Sequence, residues 1–211
     1  MSSPTDTRPR GKGWGLAVAV CVGLWLVQSG ARDVTPPVPS AAEAFAAGPG
    51  WHTSAAADPL PPSAPVRIRI PGIGVDAPVM RLGLGPDGSL DVPPAGNGNL
   101  AGWFAGGTAP GARGTAVMAG HVDNARGPAV FYGLGALKKG QRIEVARLDG
   151  RTAVFTVDAV EVYDNDAFPD AKVYGEARRA ELRVITCGGG FSPKTGYQGN
   201  VVAYAHLIGA R

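Results

Sequence analysis

From residue 66 onward the chain is a run of short stretches in which apolar and polar residues alternate, or apolar residues stand together. Each is closed by glycine, proline or an Asp-Gly pair. RIRI at 67–70 alternates and predicts a half-buried strand, broken by Pro71-Gly72. Residues 75–81 and 89–92 predict a second and a third extended piece, the latter stopped by Pro93-Pro94. Residues 115–118 are continuously apolar and end in Ala119-Gly120-His121. Residues 131–138 suit a helical turn or two, ending in Lys-Lys-Gly, a C-terminal stop signal. Residues 141–147 alternate again, and Asp149-Gly150 is a hairpin signal leading into an extended run over 152–163. After a polar, irregular stretch (164–179) with a short helix near 166–174, residues 182–187 (LRVITC) read as a buried strand opening into a glycine-rich loop. Residues 200–207 form the last strand. About eight short strands, regular turn signals and little helix predict an all-β domain built as a closed or nearly closed eight-stranded barrel.

The front of the chain follows another pattern. Residues 1–12 carry Arg8, Arg10 and Lys12, and residues 13–31 carry no charge until their end. The apolar heart of that run spans roughly 14 residues, where a spanning helix usually needs about 20. Two readings stay open: an uncleaved transmembrane anchor, or a signal peptide cut near Ser29-Gly30-Ala31. Both put the rest of the chain outside the cytoplasm, as a single-pass membrane protein or a secreted one, and the flanks favour the anchor. Residues 32–65 are rich in Ala, Pro and Ser without periodicity and read as a disordered or polyproline-like spacer. Trp51 and His52 fall inside it as loop residues. The folded domain is expected over 66–211.

Charge narrows the partners only slightly. The formal net charge is +3, and no dense Lys/Arg block with interleaved aromatics supports nucleic-acid binding. Asp164 and Asp166 lack a third ligand at calcium-loop spacing, so no metal or other cofactor is implied. Cysteine usage changes the picture more. The chain has two cysteines, and Cys21 lies in the apolar N-terminal run, so Cys187 is the only thiol of the folded part. A solitary thiol in an oxidising compartment calls for a reason.

A thiol nucleophile needs a base or acid, and donors for the charge that develops on the attacked oxygen. His121, at the end of a buried strand, mirrors the placement of Cys187; it could equally be a turn residue bonded to backbone. His206, inside the last strand, reads as structural. Arg183 shares a strand face with Cys187, about 13 Å away at roughly 3.3 Å per residue. It is a candidate cation or an ordinary strand residue paired with a carboxylate. Asp123 could orient His121 or cap a turn, and Lys194 is a remote cationic alternative.

The segments AGHVD (119–123), ELRVITCGGGF (181–191) and NVVAYA (200–205) together resemble the sortases, nearest the actinobacterial classes E and F. The resemblance covers about 66–210. It implies an eight-stranded barrel and a cysteine transpeptidase. Cys187 would attack the carbonyl after Thr in an LPXTG-like sorting signal, and an amine, commonly on a cell-wall precursor, would resolve the thioacyl intermediate. His121 would protonate the leaving amine and an arginine would hold substrate and oxyanion. Many sortases carry that arginine at the start of the last strand; here the run is Tyr197-Gln198-Gly199-Asn200. Arg183 then becomes the cationic candidate, with Thr186, Gln198 and Asn200 as candidate substrate contacts. Two other readings remain: another exported Cys/His peptidase or transpeptidase, and a non-catalytic barrel in which Cys187 is a buried small hydrophobe.

Overall fold

The computed structural model of the chain describes residues 35–45 and 55–211. The basic start, the apolar run with Cys21, and Trp51 and His52 lie outside the described residues. No helix among the described residues is long and apolar enough to cross a membrane.

Among the described residues there are ten strands: β1 (Pro65–Ile70), β2 (Val75–Leu82), β3 (Ala101–Phe104), β4 (Gly114–Ala119), β5 (Asp123–Asn124), β6 (Gly127–Pro128), β7 (Arg142–Arg147), β8 (Thr152–Asp164), β9 (Ala180–Ser192) and β10 (Gly196–Ala210). Eight of them close a barrel in the order β1-β2-β3-β4-β9-β10-β8-β7, while β5 and β6 form a small separate ribbon. Closure comes from β1 against β7, with Ile68 opposite Val145. A closed sheet leaves no unpaired edge. The inward residues Ile68, Ile70, Phe131, Phe155, Leu182 and Leu207 are fully buried. One short helix, α1 (Asp170–Tyr174), lies in the β8–β9 connection.

The continuous apolar runs at 115–118 and 182–186 have a structural cause. β4 and β9 run parallel and are buried on both faces, and every residue of β4 is buried. Parallel strands covered on both sides lose the alternation of a half-exposed strand. Inside lies the barrel core. Outside, Val117, Ile185, Val202, Tyr204 and Ala159 are covered by Val173 of α1 and flanked by Phe104 and Phe168.

Three expectations need correcting. Residues 89–92 are not a strand and contribute only a bridge between Leu84 and Leu90. The neighbour of β2 is instead β3, running parallel to it, and a parallel neighbour needs a long crossover, which residues 83–100 supply. The expected helical turn over 131–138 is a single 3-10 turn at Leu134–Ala136. The glycine-rich loop after Cys187 is also strand: β9 continues to Ser192, and Gly188 pairs with Gly199. Periodicity cannot register strand where there are no side chains.

Parts of the stretch expected to be a spacer are packed. The Phe45 ring meets Tyr204 edge-on at 5.0 Å. Glu43 is buried and accepts a hydrogen bond from the Lys139 amide at 2.8 Å. Leu60 packs against the core, and its amide reaches the Gly111 carbonyl at 2.8 Å.

Phe155 is fully enclosed in the barrel, so Phe155→Ala is expected to cost about 3–5 kcal/mol of unfolding free energy in urea titration. The same truncation at exposed Val66 is expected to stay within about 0.5 kcal/mol.

Candidate active site

The parallel register of β4 and β9 advances residue for residue, from Gly114 opposite Ala180 to Ala119 opposite Ile185. Two bonds carry it one step further. The Gly120 amide donates to the Ile185 carbonyl at 3.2 Å, and the Thr186 hydroxyl donates to the Gly120 carbonyl at 2.8 Å. The next residue on one strand is His121 and on the other Cys187, so the pairing delivers imidazole and thiol to neighbouring positions. Gly120 has no room for a side chain, because a Cβ there would lie 2.6 Å from the Val130 side chain and 2.7 Å from the Phe131 ring, which pack over it.

Cys187 is an exposed residue with a free thiol. Desolvation by its neighbours, and then the Asp123 carboxylate, push the thiol above its ordinary pKa; both disfavour the thiolate. Nε2 of His121 lies 2.6 Å from the Pro93 carbonyl oxygen. A carbonyl can only accept, so Nε2 carries a proton and Nδ1 is the nitrogen left for exchange. The Pro93-Pro94 stop, noticed in the sequence only as a strand terminator, thus supplies the group that orients the imidazole. Phe131 donates its amide to the His121 carbonyl at 3.1 Å, and Ala129 its amide to Val122 at 2.9 Å, which holds the loop.

Across from the thiol, on β10, stands Asn200. Its Nδ2 donates to Asn165 Oδ1 at 3.0 Å, which leaves one N–H of the amide uncommitted in that bond. Gly189, at φ +76°, forms with Gly190 a bulge opposite Gln198. The Gln198 amide lies over Gly190, 3.0 Å from where a Cβ would be. Gln198, Tyr197, Thr195, Asn165, Asp164 and Asp166 line an open cavity of about 580 Å³. Tyr197 donates its hydroxyl to Asp123, and no feature of the sequence pattern pointed to this contact.

Arg183 is not brought beside the thiol. It stands four residues earlier, opposite Val117 and Tyr204, and is buried with 6% of its surface exposed. Its guanidinium stacks on Tyr204 at 4.6 Å and donates to Glu181 at 2.7 Å. Thr186 is also buried, and its hydroxyl is spent on Gly120 rather than presented to the site. His206 is fully buried against Asp158, with Nδ1 at 2.7 Å from Oδ1. Lys194 sits in the exposed β9–β10 turn, its amide bonded to Ser192 at 3.3 Å.

On the outer face of β4, Val117, Phe104, Leu84, Leu90 and Tyr174 line a groove of about 550 Å³. Val117 is four residues before His121, or about 13 Å along an extended chain.

A closed barrel with thiol and imidazole at adjoining strand positions and an apolar groove behind them is the class of molecule these observations define. A model of the family described as sortase domain matches residues 68–208, and the chain belongs to the sortase family. Solved structures share the fold. The match to sortase A of Listeria monocytogenes has TM-score 0.53 and 21% identity, over 70% of this chain and 90% of that one. Sortase A of Corynebacterium diphtheriae matches with TM-score 0.52 and 22% identity, over 70% of this chain and 62% of that one. Sortase C-1 of Actinomyces oris matches with TM-score 0.51 and 22% identity, over 68% and 73%. No curated protein matches the sequence.

Thr186→Val removes the hydroxyl while keeping the shape, and strands the Gly120 carbonyl. The expected loss is about 1–3 kcal/mol of unfolding free energy, read by denaturant titration.

Proposed function

We propose that the protein is a cysteine transpeptidase acting on an extended, LPXTG-like peptide, with Cys187 as nucleophile and His121 as general acid and base. The observation that carries this reading is the delivery of His121 and Cys187 to neighbouring positions by the β4/β9 register. The thiol adds to a peptide carbonyl as its proton passes to the imidazole. The tetrahedral oxyanion collapses, the C–N bond breaks, and the imidazolium gives its proton to the leaving amine. A thioester on Cys187 remains. An incoming amine, one carried by a cell-wall precursor, loses a proton to the neutral imidazole and displaces the sulfur, which leaves as thiolate and recovers the proton.

The apolar groove supports the substrate class. In an LPXTG-like signal the Leu stands three residues before the attacked Thr carbonyl, about 10 Å along an extended chain, and the groove lined by Leu84, Leu90, Phe104 and Val117 offers it an apolar seat. For the oxyanion, the remaining N–H of Asn200 is the side-chain donor across from the sulfur. Arg183 is committed to Glu181 and Tyr204. The basic start and apolar run of the N-terminus support a place at the outer side of a membrane, where surface-protein sorting signals and cell-wall amines are met.

The test is mass spectrometry of the protein incubated with a library of LPXTG-like peptides and candidate amines. A thioester adduct on Cys187 and an amide product are expected; amine-independent silence across the library would exclude the reading. Cys187→Ala is expected to abolish turnover. His121→Ala should lower it by about 10²–10⁴-fold, and a variant with near-full activity would remove His121 from the chemistry. Asn200→Ala is expected to lower kcat by about 10²-fold, whereas Arg183→Ala should act first on unfolding free energy.

The raised thiol sets a pH signature. Only the deprotonated sulfur reacts with iodoacetamide, so the alkylation rate is expected to keep climbing above the ordinary thiol midpoint of about pH 8.5. A plateau reached below that pH would contradict the site's electrostatics.

A further inference from the structure

β9 and β10 outrun the barrel. β4 pairs with β9 only as far as Ala119 and Ile185, yet β9 and β10 remain paired to Ser192 and Gly196. Cys187 therefore sits where β9 loses its β4 neighbour; β8 still flanks β10 as far as Asp164 opposite Gly199, and past that pair β9 and β10 go on as a two-stranded ribbon, which is marginal in water. His121 sits on the loop that leaves β4 at the same level. Among the described residues, two side-chain hydrogen bonds join that loop to the ribbon. One is Thr186 to Gly120, beneath the site; the other is Tyr197 to Asp123, beyond it.

Tyr197 is held for this contact from several sides. It stands opposite Phe191, with the two rings 5.1 Å apart. Its carbonyl accepts a bond from Asn165 Nδ2 at 3.2 Å, and Asn165 in turn accepts from Asn200. Asp123 is anchored in the β5–β6 ribbon opposite Pro128.

Resting on the reading of Cys187 as nucleophile, we propose that the Tyr197–Asp123 bond is a latch across the active site, which fixes the imidazole loop to the thiol ribbon and pins a carboxylate beside the sulfur. Tyr197 and Asp123 are positioning residues. By donating to the carboxylate, Tyr197 disperses its charge; without that donor the carboxylate would oppose thiolate formation more strongly. The groups around the sulfur are His121 at the end of β4, Asp123 on β5, Tyr197 and Asn200 on β10, and Tyr132 behind Tyr197. Further out are Lys194, Asp164 and Asp166 at the solvent edge and Arg126, which donates to the Gly96 carbonyl at 3.1 Å.

The test compares Tyr197→Phe, Asp123→Asn and the double variant with wild type. The readouts are iodoacetamide alkylation of Cys187 across pH and, with a substrate peptide, kcat and KM. Asp123→Asn keeps an acceptor for Tyr197 and removes the charge, so alkylation at pH 7 is expected to be about two- to five-fold faster. Tyr197→Phe keeps the ring on Phe191 and removes the donor. Its alkylation is expected to slow by a similar factor, with kcat down about tenfold or more and KM nearly unchanged. The double variant should alkylate like Asp123→Asn, there being no charge left to disperse. Alkylation unchanged in both single variants, or shifted in the same direction, would overturn the latch. The alkylation arm needs no peptide, so it stands even if no sorting peptide is turned over, and that second failure would count against the proposed reaction alone. Should Tyr197→Phe unfold, the isosteric Asp123→Asn profile decides alone: a rate equal to wild type sinks the proposal.

Discussion

Everything at the site depends on one constraint, the in-register parallel pairing of β4 with β9. Parallel strands advance together, so two residues far apart in the chain leave the sheet at one level. The pairing places no chemistry itself. It brings Gly120 beside Ile185 and Thr186 through two hydrogen bonds, and the residues that follow are His121 and Cys187. Because both faces of these strands are buried, a slip by one residue would turn the apolar side chains of β4 and β9 toward the wrong layer. The packing that stabilises the barrel is therefore also what sets imidazole against thiol.

The same face explains the groove and the fate of Arg183. Val117 lines the groove, and α1 makes a wall of it through Asp170 and Tyr174; Ile185, Val202 and Tyr204 form the apolar layer beside Val117. A guanidinium in that layer cannot remain an open charge. It lies on the Tyr204 ring and pairs with Glu181, which is how a buried cation is tolerated. On the other side of the wall, Lys172 of α1 donates to Glu161 at 2.5 Å and lies 4.9 Å from the Phe45 ring. Glu161 also accepts the Phe45 amide at 3.1 Å and the Tyr163 hydroxyl. Desolvation and that bond to Glu161 raise Tyr163 to about 12. The packed segment before the barrel is thus in contact with the wall of the groove.

Electrostatically the resting site is quiet. The thiol is raised, a carboxylate stands near it, and the imidazole is held by a carbonyl through Nε2. Such an arrangement keeps sulfur protonated until a substrate carbonyl is present to take up charge. The thiolate is the form that oxidises, so a protonated sulfur is the more inert one.

The sequence alone was sufficient for the barrel, because strand periodicity and turn chemistry are local: RIRI, the alternation at 141–147 and Asp149-Gly150 each became the element they announced. It also singled out Cys187, the only thiol of the folded part, and His121, a histidine ending an apolar run, which the structure brings to neighbouring positions. The third strand was misplaced, since a parallel neighbour across residues 83–100 is a non-local choice. The ribbon beyond Cys187 was hidden because glycines carry no pattern. Only the tertiary structure decided what surrounds the sulfur. Pro93, Asp123 and the β10 pair Tyr197 and Asn200 come from three separate segments, and Arg183 is committed to Glu181 and Tyr204 despite sharing the strand of Cys187. Contacts between distant segments depend on register and closure, and neither is written in the spacing of residues along a single chain.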